Sequence, residues 1–276
     1  MSRFADLHIH TYFSDGTFSP EEVVENAHRE GLSCIAITDH DTVVGVKPTV
    51  EVAKKYDLEV IAGVELSCQK DTKDIHLLAY LFDCENKELQ ERIGDFQDSR
   101  VKRMGEMIEK LKTFGIDNIS LEEVCALANS QSVGRPHLAR ILVEKGHVSN
   151  IKAAFDKYLA EGAPAYVGKY KMTPHEAIQF VHKIGGVAVL AHPMLTNCDE
   201  QIPGFVEAGL DGLEVYYANI APPIIEFYKK LAEKYNLLAT GGSDAHGEAK
   251  KNTYIGKMKI PYELVEKIKE KAARKR

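Results

Sequence analysis

Short apolar runs that end in histidine or a carboxylate recur along this chain, and no other feature constrains its fold as much. Residues 4–9 carry His8, with His10 just beyond, and residues 34–38 precede Asp39 and His40. Glu65 lies in the run 59–66, and His76 lies near the start of 74–81. His192 follows 187–191, Glu214 falls in 212–216, and Asp244 and His246 follow 237–240. Each run has the length and composition of a β-strand. Side chains two apart on a strand share a face, so His8 projects with His10 and Asp244 with His246.

Helical segments separate these strands. Ser19 is a good N-cap, Pro20 suits a first turn and Gly31 ends a helix over 20–30. Further helices are expected over 47–56, 175–183, 202–208 and 222–235. This alternation predicts an α/β fold with a parallel sheet or barrel, and the spacing predicts seven core strands. In α/β barrels the active site lies at the C-terminal strand ends, where the histidines and carboxylates collect. His76 reaches that rim only if its strand runs antiparallel. The rhythm breaks over 85–168, where Met104, Met107, Ile108 and Leu111 recur at helical spacing, as do Leu138, Ile141 and Leu142, and Ile151, Phe155 and Leu159. That stretch predicts an inserted helical subdomain of two to four helices, leaving 1–84 and 169–276 as the barrel domain.

Imidazole and carboxylate are ligands for zinc, manganese and iron, and mixed nitrogen and oxygen ligands accept all three. Divalent ions attract anionic substrates, and a phosphate ester is the natural candidate. There is no G-x-S-x-G elbow and no phosphate-cradling G-x-x-x-x-G-K-[ST] loop. Direct attack by a metal-bridging hydroxide is therefore expected, and no leaving-group acid is identifiable.

Composition excludes other classes. The formal net charge of −6 argues against a strongly basic nucleic-acid binder. No apolar run reaches the roughly 18 residues of a membrane helix, and the N-terminal segment has no apolar core of a signal peptide. Five scattered cysteines without a C-x-x-C pair point to reduced thiols, hence a cytoplasmic protein. The basic segment from Lys250 to Arg276 reads as a solvated terminal helix, with a nucleic-acid contact as the alternative. No obligate protein partner is readable.

The segments ADLHIHTYFSDGTFSPEEVV, IAITDHDTVVG, GVELS, AHP and GGSDAHG resemble the motifs of the polymerase and histidinol phosphatase (PHP) superfamily. SVGRPHLARILVEKG followed by AAFDKYLAEGAPAYV resembles its TrpH-like stand-alone phosphoesterases, which act on nucleotides or short oligoribonucleotides. The resemblance implies a distorted (β/α)7 barrel and three divalent metal ions. His8, His10, Glu65 and Asp244 would hold the first, with Glu65 bridging. Glu65, His76 and His192 would hold the second, and Asp15, His40 and His246 the third. Glu65, Asp244, His192 and His246 are the expected catalytic ligands of the attacking hydroxide.

Asp39 is expected to orient a ligand or support the turn, and Glu214 to do the same or to be a plain strand carboxylate. Arg135 and His137 are the candidate substrate-binding residues, with the alternative that Gly134 or Ser132 caps a helix and Arg135 is solvated. Arg100 and Arg103 share a helical face that could reach phosphate. Tyr166 and Tyr170 could stack on a base, although packing suits them as well. His28, His147, His175 and His182 are expected away from the site. The expected substrate is a nucleoside monophosphate, a nucleoside 3′,5′-bisphosphate or the 5′ end of short RNA. The alternatives are a histidinol-phosphate-type phosphatase and a non-catalytic metal-binding module.

Overall fold

The computed structural model describes residues 3–71, 73–128, 133–168, 172–250 and 252–275. Ser132, Tyr170 and Arg276 lie outside the described residues. The chain begins with β1 (Phe4–Ile9), α1 (Pro20–Arg29), β2 (Cys34–Ile37), α2 (Val46–Ala53), β3 (Glu59–Lys70) and β4 (Lys73–Tyr80). Helices α3 (Lys87–Lys112), α4 (Leu121–Ala128), α5 (Arg135–Glu144) and α6 (Ile151–Ala154) follow, and α6 runs into a π-helical turn at Phe155–Leu159. The alternation resumes with α7 (Pro174–Lys183), β5 (Val187–Leu190), α8 (Pro193–Thr196), α9 (Ile202–Glu207), β6 (Gly212–Tyr217), α10 (Pro222–Lys234) and β7 (Leu238–Gly242). A two-residue strand β8 (Ile260–Pro261) and α11 (Tyr262–Ala273) end it.

The eight strands form one sheet in the order β7-β6-β5-β4-β3-β2-β1-β8, curled into a nearly closed, distorted barrel with helices around it. Strand β4 is antiparallel to both β3 and β5, as the position of His76 requires, and its His76 pairs with Ser67 of β3. The barrel closes where Ile9 bridges Ala245 and the His10 N–H donates to the Ala245 carbonyl at 2.9 Å. Gly242 makes that approach possible, because a Cβ there would lie 2.4 Å from the His8 nitrogen. Asp6, fully buried, ties the seam: it accepts the backbone N–H of Ser243 and of Gly256, each at 2.8 Å.

Helix α1 starts as its sequence indicates: Ser19 accepts the Glu22 N–H while the Glu22 carboxylate accepts the Ser19 N–H. Strand β3 differs from expectation. It continues to Lys70, past Glu65, because β4 pairs with its second half. Glu214 is also internal to its strand, beside an irregularity in the pairing of β6 with β7. Nor is the C-terminal helix simply solvated. Val265 and Ile268 of α11 are fully buried in a cluster with Leu7, Leu78 and Val189 from the barrel strands, so this helix packs into the barrel. Lys269 of this helix pairs with Glu59 and Lys271 with Asp211, which Lys275 just beyond the helix also reaches.

Two apolar clusters meet along α3. Leu89, Ile93 and Phe96 of its first half join the main barrel core, whereas Met104, Met107, Ile108 and Leu111 pack with Leu138, Leu142 and Leu159 in a separate cluster drawn from α3 to the π-helical turn. One long helix thus carries the helical segment on the barrel.

Candidate metal centre and phosphate pocket

Glu65 sits at the middle of the cluster and divides its carboxylate between two groups of imidazoles. Oε1 lies 2.8 Å from His76 Nδ1 and 3.0 Å from His192 Nε2. Oε2 lies 3.2 Å from His8 Nε2, 3.1 Å from His10 Nε2 and 3.3 Å from His40 Nδ1. The parallel bridge between His40 and Glu65 brings β2's extension to this point.

Asp244 completes the inner group, with Oδ1 3.5 Å from His8 Nε2 and 3.3 Å from His10 Nε2. Its other oxygen accepts from the Tyr217 hydroxyl and from Lys250 Nζ, each at 2.5 Å, which turns Oδ1 toward the histidines. The two Nε2 atoms of His8 and His10 face each other at 3.1 Å. These separations suit a cation. A divalent ion bonded at about 2.0–2.1 Å to four atoms in a tetrahedron holds them about 3.3–3.4 Å apart. Among the described residues the buried His192 Nδ1 has no hydrogen-bond partner. The donor set is therefore suited to divalent metal.

A third group forms from Asp15, His40, His246 and His10, with Asp15 Oδ1 3.3 Å from His246 Nε2. All nine expected ligand residues thus converge. The grouping differs in detail from a strict three-way partition: His10 borders both the inner and the Asp15 groups, and His40 borders both Glu65 and Asp15.

The electrostatics match. Burial pushes the Glu65 carboxyl up, but His40, His76, His8 and His10 hold it well below the usual carboxylate range. His40 and His246 do the same for half-buried Asp15, and His8 and His10 for Asp244. Burial lowers His10, yet Asp244 and Glu65 raise it to about 10. His40 falls to about 3 through burial, with His10 and His76 adding repulsion. Buried, ionised carboxylates packed this closely call for compensating positive charge. Strained backbone accompanies them: His192 has φ 27° and Asp244 φ 51°, in the left-handed region.

Supporting carboxylates divide into two kinds. Glu214 Oε1 lies 2.9 Å from His8 Nδ1, and its Oε2 accepts the His192 N–H at 2.7 Å. It holds His8 and the His192 backbone in place, whereas Asp39 fixes the turn instead, accepting the Thr11 N–H at 2.7 Å and the Thr11 and Ser14 hydroxyls at 2.6 Å. Nothing in the sequence marks Tyr217, and little marks Asp6. Asp6 lies two residues before His8 on the same strand face, which was its only signal. His28, His147, His175 and His182 lie elsewhere, against Tyr56, Asn118, Phe205 and Asp211.

A cavity of about 210 Å³ lies over the rim, between Asp15, His40 and His76 on the barrel side and Arg100, Arg103 and Arg135 on the helical side. Arg100 pairs with Asp41. Arg103, 5% exposed, donates Nε–H to the Val167 carbonyl at 2.6 Å. Arg135 is half-buried: its guanidinium donates to the Leu159 carbonyl at 3.2 Å and lies 5.6 and 5.5 Å from the Phe155 and Tyr166 rings. The helix-start reading of this segment is also met, with Gly134 at the N-cap and Pro136 in the first turn, but Arg135 is not solvated. Tyr166 packs under two arginines. Burial and the nearby Arg135 lower Arg103 to about 10. Like charges gathered at a half-enclosed wall favour an anion between them.

A family model for the PHP domain matches residues 6–272. A 5′-3′ exoribonuclease of Haemophilus influenzae is 34% identical over 251 residues, covering 89% of this chain and 91% of that protein. A 3′,5′-nucleoside bisphosphate phosphatase of Chromobacterium violaceum is 28% identical over 256 residues, covering 91% and 90%. The crystal structure of a Bifidobacterium adolescentis protein considered a metal-dependent phosphoesterase superposes with a TM-score of 0.84 at 32% identity, covering 96% and 94%. With a distorted barrel that gathers histidines and carboxylates and a family match over nearly its whole length, the chain belongs to the PHP domain family.

Proposed function

We propose that this phosphoesterase hydrolyses nucleotide phosphates, either a nucleoside monophosphate or 3′,5′-bisphosphate, or the 5′ end of short RNA. The observation that carries the reading is the wall of Arg100, Arg103 and Arg135 facing Asp15, His40 and His76 across one cavity. The activities named for the Haemophilus and Chromobacterium relatives support the nucleotide class.

In this reading His8, His10, Glu65 and Asp244, then Glu65, His76 and His192, then Asp15, His40 and His246 hold three divalent ions, drawn from manganese, zinc and iron. Such ions, when bound, supply Lewis acidity toward phosphoryl oxygens and lower the pKa of water. The chain's residues do the rest. Glu65, Asp244, His192 and His246 set the charge and geometry at the reacting phosphorus. Glu214 keeps the His8 ring aimed, and Tyr217 with Lys250 keeps one Asp244 oxygen turned inward. Arg135 grips phosphate by its planar guanidinium, and the aromatic rings beside it limit its motion. His137 contributes an N–H from the same helix start. The barrel (1–84 and 169–276) would carry the metals and the inserted unit (85–168) the phosphate grip.

No helix among the described residues is long and apolar enough to cross a membrane. A cytoplasmic location belongs to the same proposal, supported by cysteines of which none is in a disulfide.

The test is phosphate release by manganese-loaded protein from AMP, a nucleoside 3′,5′-bisphosphate, a 5′-phosphorylated RNA oligomer and histidinol phosphate. Preference for the nucleotides or stepwise RNA shortening is expected. Preference for histidinol phosphate, or silence on all four with metals bound, would sink the reading.

A further inference from the structure

Ser14, Asp15, Pro136 and His137 line the arginine-walled cavity and also a second one of about 240 Å³, whose walls include Tyr12 and Arg140. His137 is part of the partition between the two. It is 8% exposed, and its Nδ1 accepts the Gly134 N–H at 3.0 Å, which leaves the ring proton on Nε2. Burial, with Arg140 nearby, lowers its pKa and keeps the ring neutral. The partition therefore presents a fixed N–H donor, not a charge.

Two of the side chains lining the second cavity, Tyr12 and Arg140, are of types that bind single-stranded nucleic acid. Arg140 is exposed and forms no salt bridge among the described residues. Tyr12 is 37% exposed, and its ring lies 4.4 Å from that of Phe13. A cation beside an accessible aromatic face binds a phosphate and stacks a base with little regard to sequence. A nucleoside 3′,5′-bisphosphate and an RNA chain differ in what continues past the terminal phosphate, and a cavity adjoining Asp15 is placed to receive that continuation.

We propose that the second cavity binds the nucleotide joined through its 5′ oxygen to the reacting phosphate of an RNA chain, with Tyr12 against its base and Arg140 on its next phosphate. Water adds to phosphorus and the bond to the 3′ oxygen of the preceding nucleotide breaks, the same leaving group as in a nucleoside 3′,5′-bisphosphate. This rests on the nucleotide reading above and deepens it.

The experiment compares steady-state kinetics of manganese-loaded wild type, Arg140→Gln, Arg140→Lys and Tyr12→Ala on a 5′-phosphorylated trinucleotide and on adenosine 3′,5′-bisphosphate. The Arg140→Gln and Tyr12→Ala proteins should lose about tenfold in kcat/KM on the trinucleotide, mainly through KM, and stay within about twofold of wild type on the bisphosphate. Arg140→Lys should keep most of the trinucleotide activity. Equal losses on both substrates, or no loss on either, would overturn the assignment. A wild type that hydrolyses the bisphosphate and leaves the trinucleotide intact would overturn it while sparing the nucleotide reading. A wild type inert on both would overturn the two together.

Discussion

Glu214 holds His8 by a 2.9 Å contact between Oε1 and Nδ1, with both side chains fully buried. That contact commits Nδ1 and leaves Nε2 to face Glu65, His10 and Asp244. Carboxylates placed this way fix the orientation and raise the basicity of a metal-binding imidazole. Glu214→Gln should therefore cost about 10–100-fold in metal affinity or activity. Metal titration and phosphate release on the purified variant check this.

Glu65→Ala should do more damage, because each oxygen faces a different set of histidines. Phosphate release should fall to background, and bound metal measured by elemental analysis should drop by more than one ion per chain. Asp244→Ala should likewise abolish turnover. Near wild-type rates in either protein would contradict the cluster's role.

Arg135→Ala should separate binding from metal content. Its guanidinium lines the cavity and is held by the Leu159 carbonyl, on the helical side across from the metal-ligand candidates. Loss of a charged hydrogen bond of about 1.5–3 kcal/mol should raise KM by about 10–100-fold. Elemental analysis should find the metal unchanged.

Asp211 supplies a pH signature far from the site. Burial pushes its carboxyl up, but His182, Lys275 and the Ala188 N–H outweigh this and lower it from 3.8 to about 2. A carboxyl depressed in the folded state adds stability above its unfolded value, and that stability is lost as pH falls from about 4 toward 2. Allowing for screening at the part-exposed lysines, the contribution at neutral pH is about 1–2 kcal/mol. Asp211→Asn should show that deficit in urea unfolding at pH 7 and converge on wild type near pH 2.

Ile268→Ala tests the packing of the C-terminal helix. The side chain is fully buried against barrel residues. Truncation should cost about 2–5 kcal/mol. A loss below about 0.5 kcal/mol in denaturant unfolding would mean the helix is peripheral.

The sequence by itself determined the strand-helix alternation, the helical break over 85–168 and the residues that cluster. Those signals are local: period-two and period-3.6 patterns, the cap at Ser19, and paired ligands such as His8 and His10 that must share a strand face. Sequence did not reveal that β3 runs on to Lys70, since its end depends on pairing with β4. Nor did it show that α11 packs into the barrel, because a lysine-rich amphipathic helix looks the same solvated or docked. Tertiary structure alone decided how Glu65 divides its oxygens, that Glu214 orients His8 while Asp39 braces a turn, and that Arg100, Arg103 and Arg135 face the metal rim. The physical reason is that these relationships join residues from strands and helices far apart in the chain. Their distances are set by barrel closure and by packing of α3, which no local pattern records.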